Sequence, residues 1–119
     1  MICRTWRGWA TQENADAYES IVRGQVIPNI EAMDIPGFLH IDLMRRARET
    51  DVEFLTAMWF EDIDSIKAFV GDDYEASHVP PAARAVLASF DERSAHYTVL
   101  DRRPQSEGTK PATREPRAG

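Results

Sequence analysis

Cysteine is all but missing from this 119-residue chain: the single Cys3 excludes an internal disulfide. With 3 histidines beside it, the chain also falls short of the Cys/His density of a zinc module. Long apolar runs are missing too. Stretches such as Ala57–Phe60 are a handful of residues, against the ~20 of a membrane-spanning helix. The opening Met-Ile-Cys-Arg-Thr-Trp has no basic start leading into an apolar stretch, so no secretory signal is expected, and a cytoplasmic location is the default expectation. No Gly-rich phosphate loop, nucleophile elbow or dinucleotide fingerprint occurs, which favours a reaction without a nucleotide, or no reaction. His40, His78 and His96 are scattered, with no i, i+4 pair and no acidic partner at metal-ligand spacing. The expectation is therefore no metal and no cofactor.

What is present is the composition of one globular domain, 43% hydrophobic and 29% charged. Its charge is unevenly spread. From Arg102 onward the tail is formally +3, which leaves 9 basic and 18 acidic residues, −9, up to Asp101. An acidic body repels phosphates and anionic lipid, so neither a nucleic acid nor a membrane is expected as partner. The tail, 102–119, holds 3 of the 7 prolines, 2 of the 6 glycines and no aromatic residue. It cannot bury enough apolar surface to offset its ordering entropy, and is expected to be disordered beyond a domain spanning 1–101.

Ile2–Trp9, rich in β-branched and aromatic residues, reads as a strand. Thr11 is placed to cap a helix on which Tyr18, Ile21, Val22, Val26, Ile30 and Met33 recur at helical spacing. Pro28 lacks an N–H and would clash with the Gly24 carbonyl, which predicts a kink or break between them. Phe38–Arg46 alternates Leu39, Ile41 and Leu43 against Phe38, His40, Asp42 and Met44. A polar tip at Arg48–Asp51 leads to a partner strand, Val52–Phe60. Asp62 or Asp64 then caps a short helix stopped by Gly71; Pro80-Pro81 opens another carrying Val86 and Leu87, and Ser94–Leu100 is the last strand.

The order β-α-β-β-α-(α)-β is the α+β, ferredoxin-like arrangement, a four-stranded antiparallel sheet with its crossovers on one face. The uncovered face is expected to carry some of Trp6, Phe38, Met44, Phe54, Met58 and Trp59, too apolar a surface to leave wet. A second copy meeting it sheet to sheet would close it, giving a homodimer.

The stretch Met1–Gly8, the Tyr18 helix, the hairpin through Arg45-Arg46, Trp59-Phe60-Glu61-Asp62 leading into Ile66–Phe69, and the closing His96-Tyr97-Thr98-Val99 together resemble the antibiotic biosynthesis monooxygenase-like family. The resemblance covers about residues 1–101. It implies a dimeric α/β barrel with a pocket between sheet and helices in each subunit. It also implies, as the leading reading, cofactor-independent oxygenation of a hydrophobic, phenolic or quinol-type aromatic substrate. The haem-degrading branch of the family resembles the chain in a histidine after the second helix, matched by His78. Its tryptophan on that helix is answered only by Ala68 or Phe69, and its first-strand asparagine has no counterpart among Cys3–Arg7. One match in three makes haem degradation the lesser reading.

Several residues are candidates for that chemistry. His96 on the last strand is the proposed base, because a neutral imidazole can take the proton whose loss leaves an anion able to reduce oxygen; its alternative is a hydrogen-bonded strand histidine at the dimer seam. His40 and Asp42 share a strand face and could act as an imidazole–carboxylate pair, or form a polar part of the dimer contact. Arg4 could stabilise a substrate oxyanion, or pair structurally with Asp42. Trp6, Trp9 and Trp59 offer flat faces for stacking, with Trp59 the first choice for a pocket wall and core or interface packing the alternative. Phe69 and His78 complete the expected substrate-binding set, His78 being otherwise a surface histidine. Cys3 reads as a buried, inert thiol. A binding protein without catalysis, taking an apolar metabolite or a partner protein, is the rival from another class.

Overall fold

A computed structural model describes residues 1–105; the rest of the expected tail lies outside the described residues. The chain runs β1 (Ile2–Thr11), α1 (Ala15–Ile21), a π-helical turn (Val22–Val26), α2 (Ile27–Ala32), β2 (Phe38–Ala47) and β3 (Asp51–Phe60). It continues through α3 (Ile63–Val70), α4 (Pro81–Arg84), β4 (Ser89–Phe90) and β5 (Ala95–Thr98). The sheet order is β2-β3-β1-β4, with β5 also on β1, and every pairing is antiparallel. This is the expected ferredoxin-like topology. Its fourth strand is split: β4 pairs with Gly8 and Trp9, and β5 with Ile2–Thr5. Only the second piece was legible in the sequence.

The kink or break expected between Gly24 and Pro28 takes the form of a single π turn, Val22–Val26, inside a continuous helical run. The Ile27 N–H reaches five residues back to the Val22 carbonyl. Widening the helix there gives the Pro28 ring room near the Gly24 carbonyl, at the cost of one irregular turn. Thr11 ends β1 rather than capping α1; its hydroxyl accepts from the N–H of Asn14, which is the N-cap. Asp62, not Asp64, caps α3, accepting from the backbone N–H and the hydroxyl of Ser65 at 2.9 Å each.

The period of two puts Ile2, Arg4, Trp6, Gly8 and Ala10 of β1 against the helices, together with Val52, Phe54, Met58 and Phe60 of β3. Trp6, Phe54 and Met58 therefore face the core, not the open side of the sheet as expected. Phe38 also turns inward, stacking 5.5 Å from Phe60, because a bulge between Phe38 and His40 shifts the alternation by one; Leu39 is left 45% exposed. The open face carries Trp59 and Met44 as expected, and adds Leu55, Ala57 and Tyr97.

Two apolar clusters fill the space between helices and sheet. One gathers Tyr18, Val22, Phe54 and Ala83; the other gathers Ile30, Met58, Phe60, Ile66 and Phe69. Val26, on the π turn, packs against both. The candidate site lies at their seam.

Candidate functional site

A cleft opens at this seam, floored by Ile41, Thr56 and Met58 of the sheet and walled by Trp6, Tyr18, Val22 and Phe69. His78, Val79 and Pro80 also line it, from the segment between α3 and α4. About 50 Å³ is open to the centre of a water molecule. Gly8 makes room for the Trp6 wall: a Cβ there would sit 2.9 Å from the Trp6 ring. The Trp6 indole N–H is already used, donating to the Asp91 carbonyl at 2.8 Å, which fixes the ring and presents its face.

Arg4 is the centre of the polar end. Its side chain is 3% exposed, placed on the helix side by the alternation of β1 and directly opposite His96 in the β1–β5 register. The guanidinium donates to the Tyr74 carbonyl at 2.5 Å, the Ala76 carbonyl at 2.5 Å and His96 Nε2 at 2.9 Å. Its carbon lies 5.6 Å from the Phe69 ring centre, a cation–π contact. Among the described residues it has no carboxylate partner. The alternative pairing with Asp42 does not occur, because Asp42 stands opposite Ala57 on the other face of the sheet. Burial pulls the Arg4 pKa down to about 10, so the group stays charged at neutral pH.

A guanidinium only donates, so His96 Nε2 must hold its lone pair and the ring proton sits on Nδ1. Nδ1 is buried and has no hydrogen-bond partner among the described residues. Burial, then the Arg4 charge, lowers the His96 pKa, keeping the ring neutral. The lone pair that a base would use is thus already engaged by Arg4. His78 is the imidazole that does line the cleft, its ring 4.9 Å from that of Phe69. Burial of one flank and the Arg4 charge lower its pKa as well.

Three hydroxyl-bearing residues line the same cleft, Tyr18, Thr56 and Ser94. Ser94 is 5% exposed and its oxygen is buried without a partner. Burial raises the Tyr18 pKa, so it remains a neutral phenol. The segment supplying His78 is held in place by Ser94 N–H donating to the Glu75 carbonyl and by Arg93 bridging Asp73 and Glu75.

Of the residues singled out from sequence, the fold thus brings together Arg4, Trp6, Phe69, His78 and His96. It does not bring His40, Asp42 or Trp59 to them. His40 and Trp59 stack on the open face, ring centres 4.5 Å apart, beside Asp42 and the half-buried Cys3. Burial and then Asp42 raise the Cys3 pKa, as suits an unreactive thiol. Sequence reasoning missed Ser94 and Thr56, which carry no motif. It counted Tyr18 only as a core position, although a tyrosine on an apolar helix stripe is itself a signal of a buried hydroxyl.

No family profile and no curated protein matches the chain. Solved structures do. A Bacillus cereus protein described as a candidate antibiotic biosynthesis monooxygenase superposes with a TM-score of 0.63 at 14% identity, over 89% of this chain and 97% of that one. A Streptomyces coelicolor monooxygenase, ActVA-Orf6 in complex with nanaomycin D, gives 0.57 at 16% identity, over 88% of this chain and 92% of that one. SnoaB of Streptomyces nogalater, a cofactor-independent oxygenase, gives 0.50 at 19% identity, over 87% of this chain and 97% or more of that one. At these identities the likeness is one of fold.

Proposed function

We propose that the protein is a small-molecule oxygenase whose hydrophobic, phenolic or quinol-type substrate occupies the cleft between sheet and helices. The observation that carries the reading is the buried Arg4 guanidinium, charged and without a carboxylate partner among the described residues, on an aromatic-walled cleft. A fold shared with the two Streptomyces oxygenases supports it. In this reading His78 takes the acidic proton of the substrate, and Arg4 stabilises the anion left behind. That anion gives one electron to dioxygen, and recombination forms a C–O bond as a hydroperoxide. Loss of water leaves a carbonyl, so a CH₂ group and one O₂ become C=O and H₂O. His96 acts as a positioning residue that holds Arg4. Of the features that the haem-degrading branch would require, only the histidine, His78, is present on the cleft, so haem degradation remains the lesser reading.

The same reading joins two copies through their open sheet faces, which present Leu55, Trp59, Met44 and Tyr97. Oxygen uptake with anthrone- and quinol-type substrates, after chelation of trace metal, tests the chemistry. Uptake equal to product formed, reduced at least tenfold in His78→Ala, is the expected result. No turnover across a broad panel overturns the reading, and undiminished turnover in His78→Ala overturns the role of that imidazole.

A second reading, ligand binding without turnover, is favoured by one observation: 50 Å³ is small beside the ~300 Å³ of ordinary small-molecule pockets. Calorimetric binding of the same panel with no oxygen uptake would select it.

A further inference from the structure

We infer that the polar end of the cleft is a carboxylate-binding subsite built by Arg4 and Ser94, so that the ligand carries an ionised acid on an apolar or aromatic frame. This rests on the cleft being the ligand site, and adds to it the group that the ligand presents.

Both side chains are buried, Arg4 at 3% and Ser94 at 5% exposure, and both line the cleft. The Ser94 hydroxyl has no partner among the described residues, and a buried donor left unpaired is unfavourable. Arg4 uses three of its five N–H groups on Tyr74, Ala76 and His96, which leaves Nε–H and one Nη2 N–H without a partner there. The groups in contact with the guanidinium are neutral: two carbonyls, a neutral imidazole and the Phe69 ring. A cation and a hydroxyl together call for a group that only accepts and bears one negative charge. A carboxylate is that group. A neutral phenol matches less well, having one oxygen and a proton of its own to place.

Size points the same way. At ~10–15 Å³ per water-sized occupant, the 50 Å³ available holds roughly three to five such groups, the scale of a carboxylate's carbon and two oxygens. An aromatic ring needs more, since a dry cavity of about 150 Å³ is what accepts benzene. The acid head therefore accounts for the space within the cleft, and the apolar frame extends from its open mouth. Multiply charged ligands are disfavoured: one arginine faces them, in a domain that is formally −9 up to Asp101.

The test is calorimetric titration of the full chain with 2-naphthoate and with 2-naphthamide, which has nearly the same shape and no charge. We expect naphthoate to bind at least tenfold more tightly, with that preference falling several-fold in Ser94→Ala and vanishing in Arg4→Gln. Arg4→Gln also loses bonds to the 72–79 segment, so circular dichroism checks its fold. Ser94→Ala removes only a hydroxyl with no partner among the described residues, and it decides the matter if the arginine variant does not fold. Equal affinity for the two ligands, or an unchanged naphthoate preference in Ser94→Ala, overturns the subsite while leaving the cleft as a site for neutral aromatics. Binding of neither overturns the subsite and the cleft reading together.

Discussion

Truncating Phe69 tests whether the seam between the two apolar clusters is an open, ligand-accepting cleft. The ring is 7% exposed; it lies 6.2 Å from Phe60 and 4.9 Å from His78, and takes the Arg4 cation–π contact. A buried Phe→Ala change costs ~3–5 kcal/mol, of which part is the void left behind. Here the void opens onto a cleft lined by Tyr18, Thr56 and His78 as well as apolar residues, so water can fill some of it and the cost should lie near the lower end, about 3 kcal/mol. At ~4–8 °C per kcal/mol for a domain of this size, the melting temperature should fall by roughly 12–24 °C. The lost ring also enlarges the cleft enough to admit a small aromatic. Phenol at about a hundred times its Kd should then restore ~2.7 kcal/mol by mass action. Urea denaturation of wild type and Phe69→Ala, with and without phenol, measures both quantities. A loss under about 1 kcal/mol, or a loss that phenol does not reverse, would refute Phe69 as the wall of an accessible cleft.

Stability should fall as the pH drops through the histidine range. His96 and His78 have lowered pKa values when folded, so the unfolded chain binds more protons there; their contribution is full above the ordinary imidazole value and is lost as the pH falls below it. Urea midpoints between pH 8 and 5.5 should show this slope, and His96→Gln should flatten it; parallel slopes would remove His96 from the account. Tyr97→Asp with Met44→Asp, at positions 60% and 44% exposed, should leave the single chain's stability within about 0.5 kcal/mol while sedimentation shifts from two copies to one. A wild-type chain that sediments singly at micromolar concentration sinks the proposed pairing. Gly37→Ala should be severe, because Gly37 has φ 80° and an added Cβ would lie 1.9 Å from the Ser65 hydroxyl that Asp62 holds. The left-handed conformation costs ~1–2 kcal/mol and the overlap ~1–3 kcal/mol, so denaturation should show a loss of ~2–5 kcal/mol.

The fold was legible because its signals are periodic. Leu43 and Ile41 alternate with Asp42 and Met44, and Tyr18, Val22 and Ile30 recur at helical spacing, so the element order and its ferredoxin-like closure followed. The inner and outer faces of the sheet were harder to read, since Trp6 and Trp59 are equally apolar, and only their parity relative to Ala10 and Phe60 assigns them to opposite sides. One bulge at Phe38 then reversed part of the alternation in β2. The site was less legible still. Arg4 and His96 are separated by 92 positions and meet through strand register; Ser94 lines the same cleft as Arg4 from an ordinary sequence context. Chemistry assembled by register between strands far apart in sequence leaves no local spacing to read.

Arg4 has a structural task, since its bonds to the Tyr74 and Ala76 carbonyls tie the 72–79 segment to β1. That task alone does not account for a charge. Two carbonyls and an imidazole are neutral acceptors, so burying an unpaired ion against them still carries several kcal/mol. The carbonyl dipoles and the Phe69 face lower this cost, but they supply no opposite charge. A guanidinium kept charged at neutral pH, with donors left over, and Ser94 on the same cleft with a hydroxyl that has no partner among the described residues, suit an anion that arrives from outside the chain. An acid group held there would orient its apolar frame against Trp6 and bring its reacting carbon toward His78. Binding of an acid and base-assisted oxygenation then become successive demands on one small space, the first met by Arg4 and the second by an imidazole that Arg4 itself helps keep neutral.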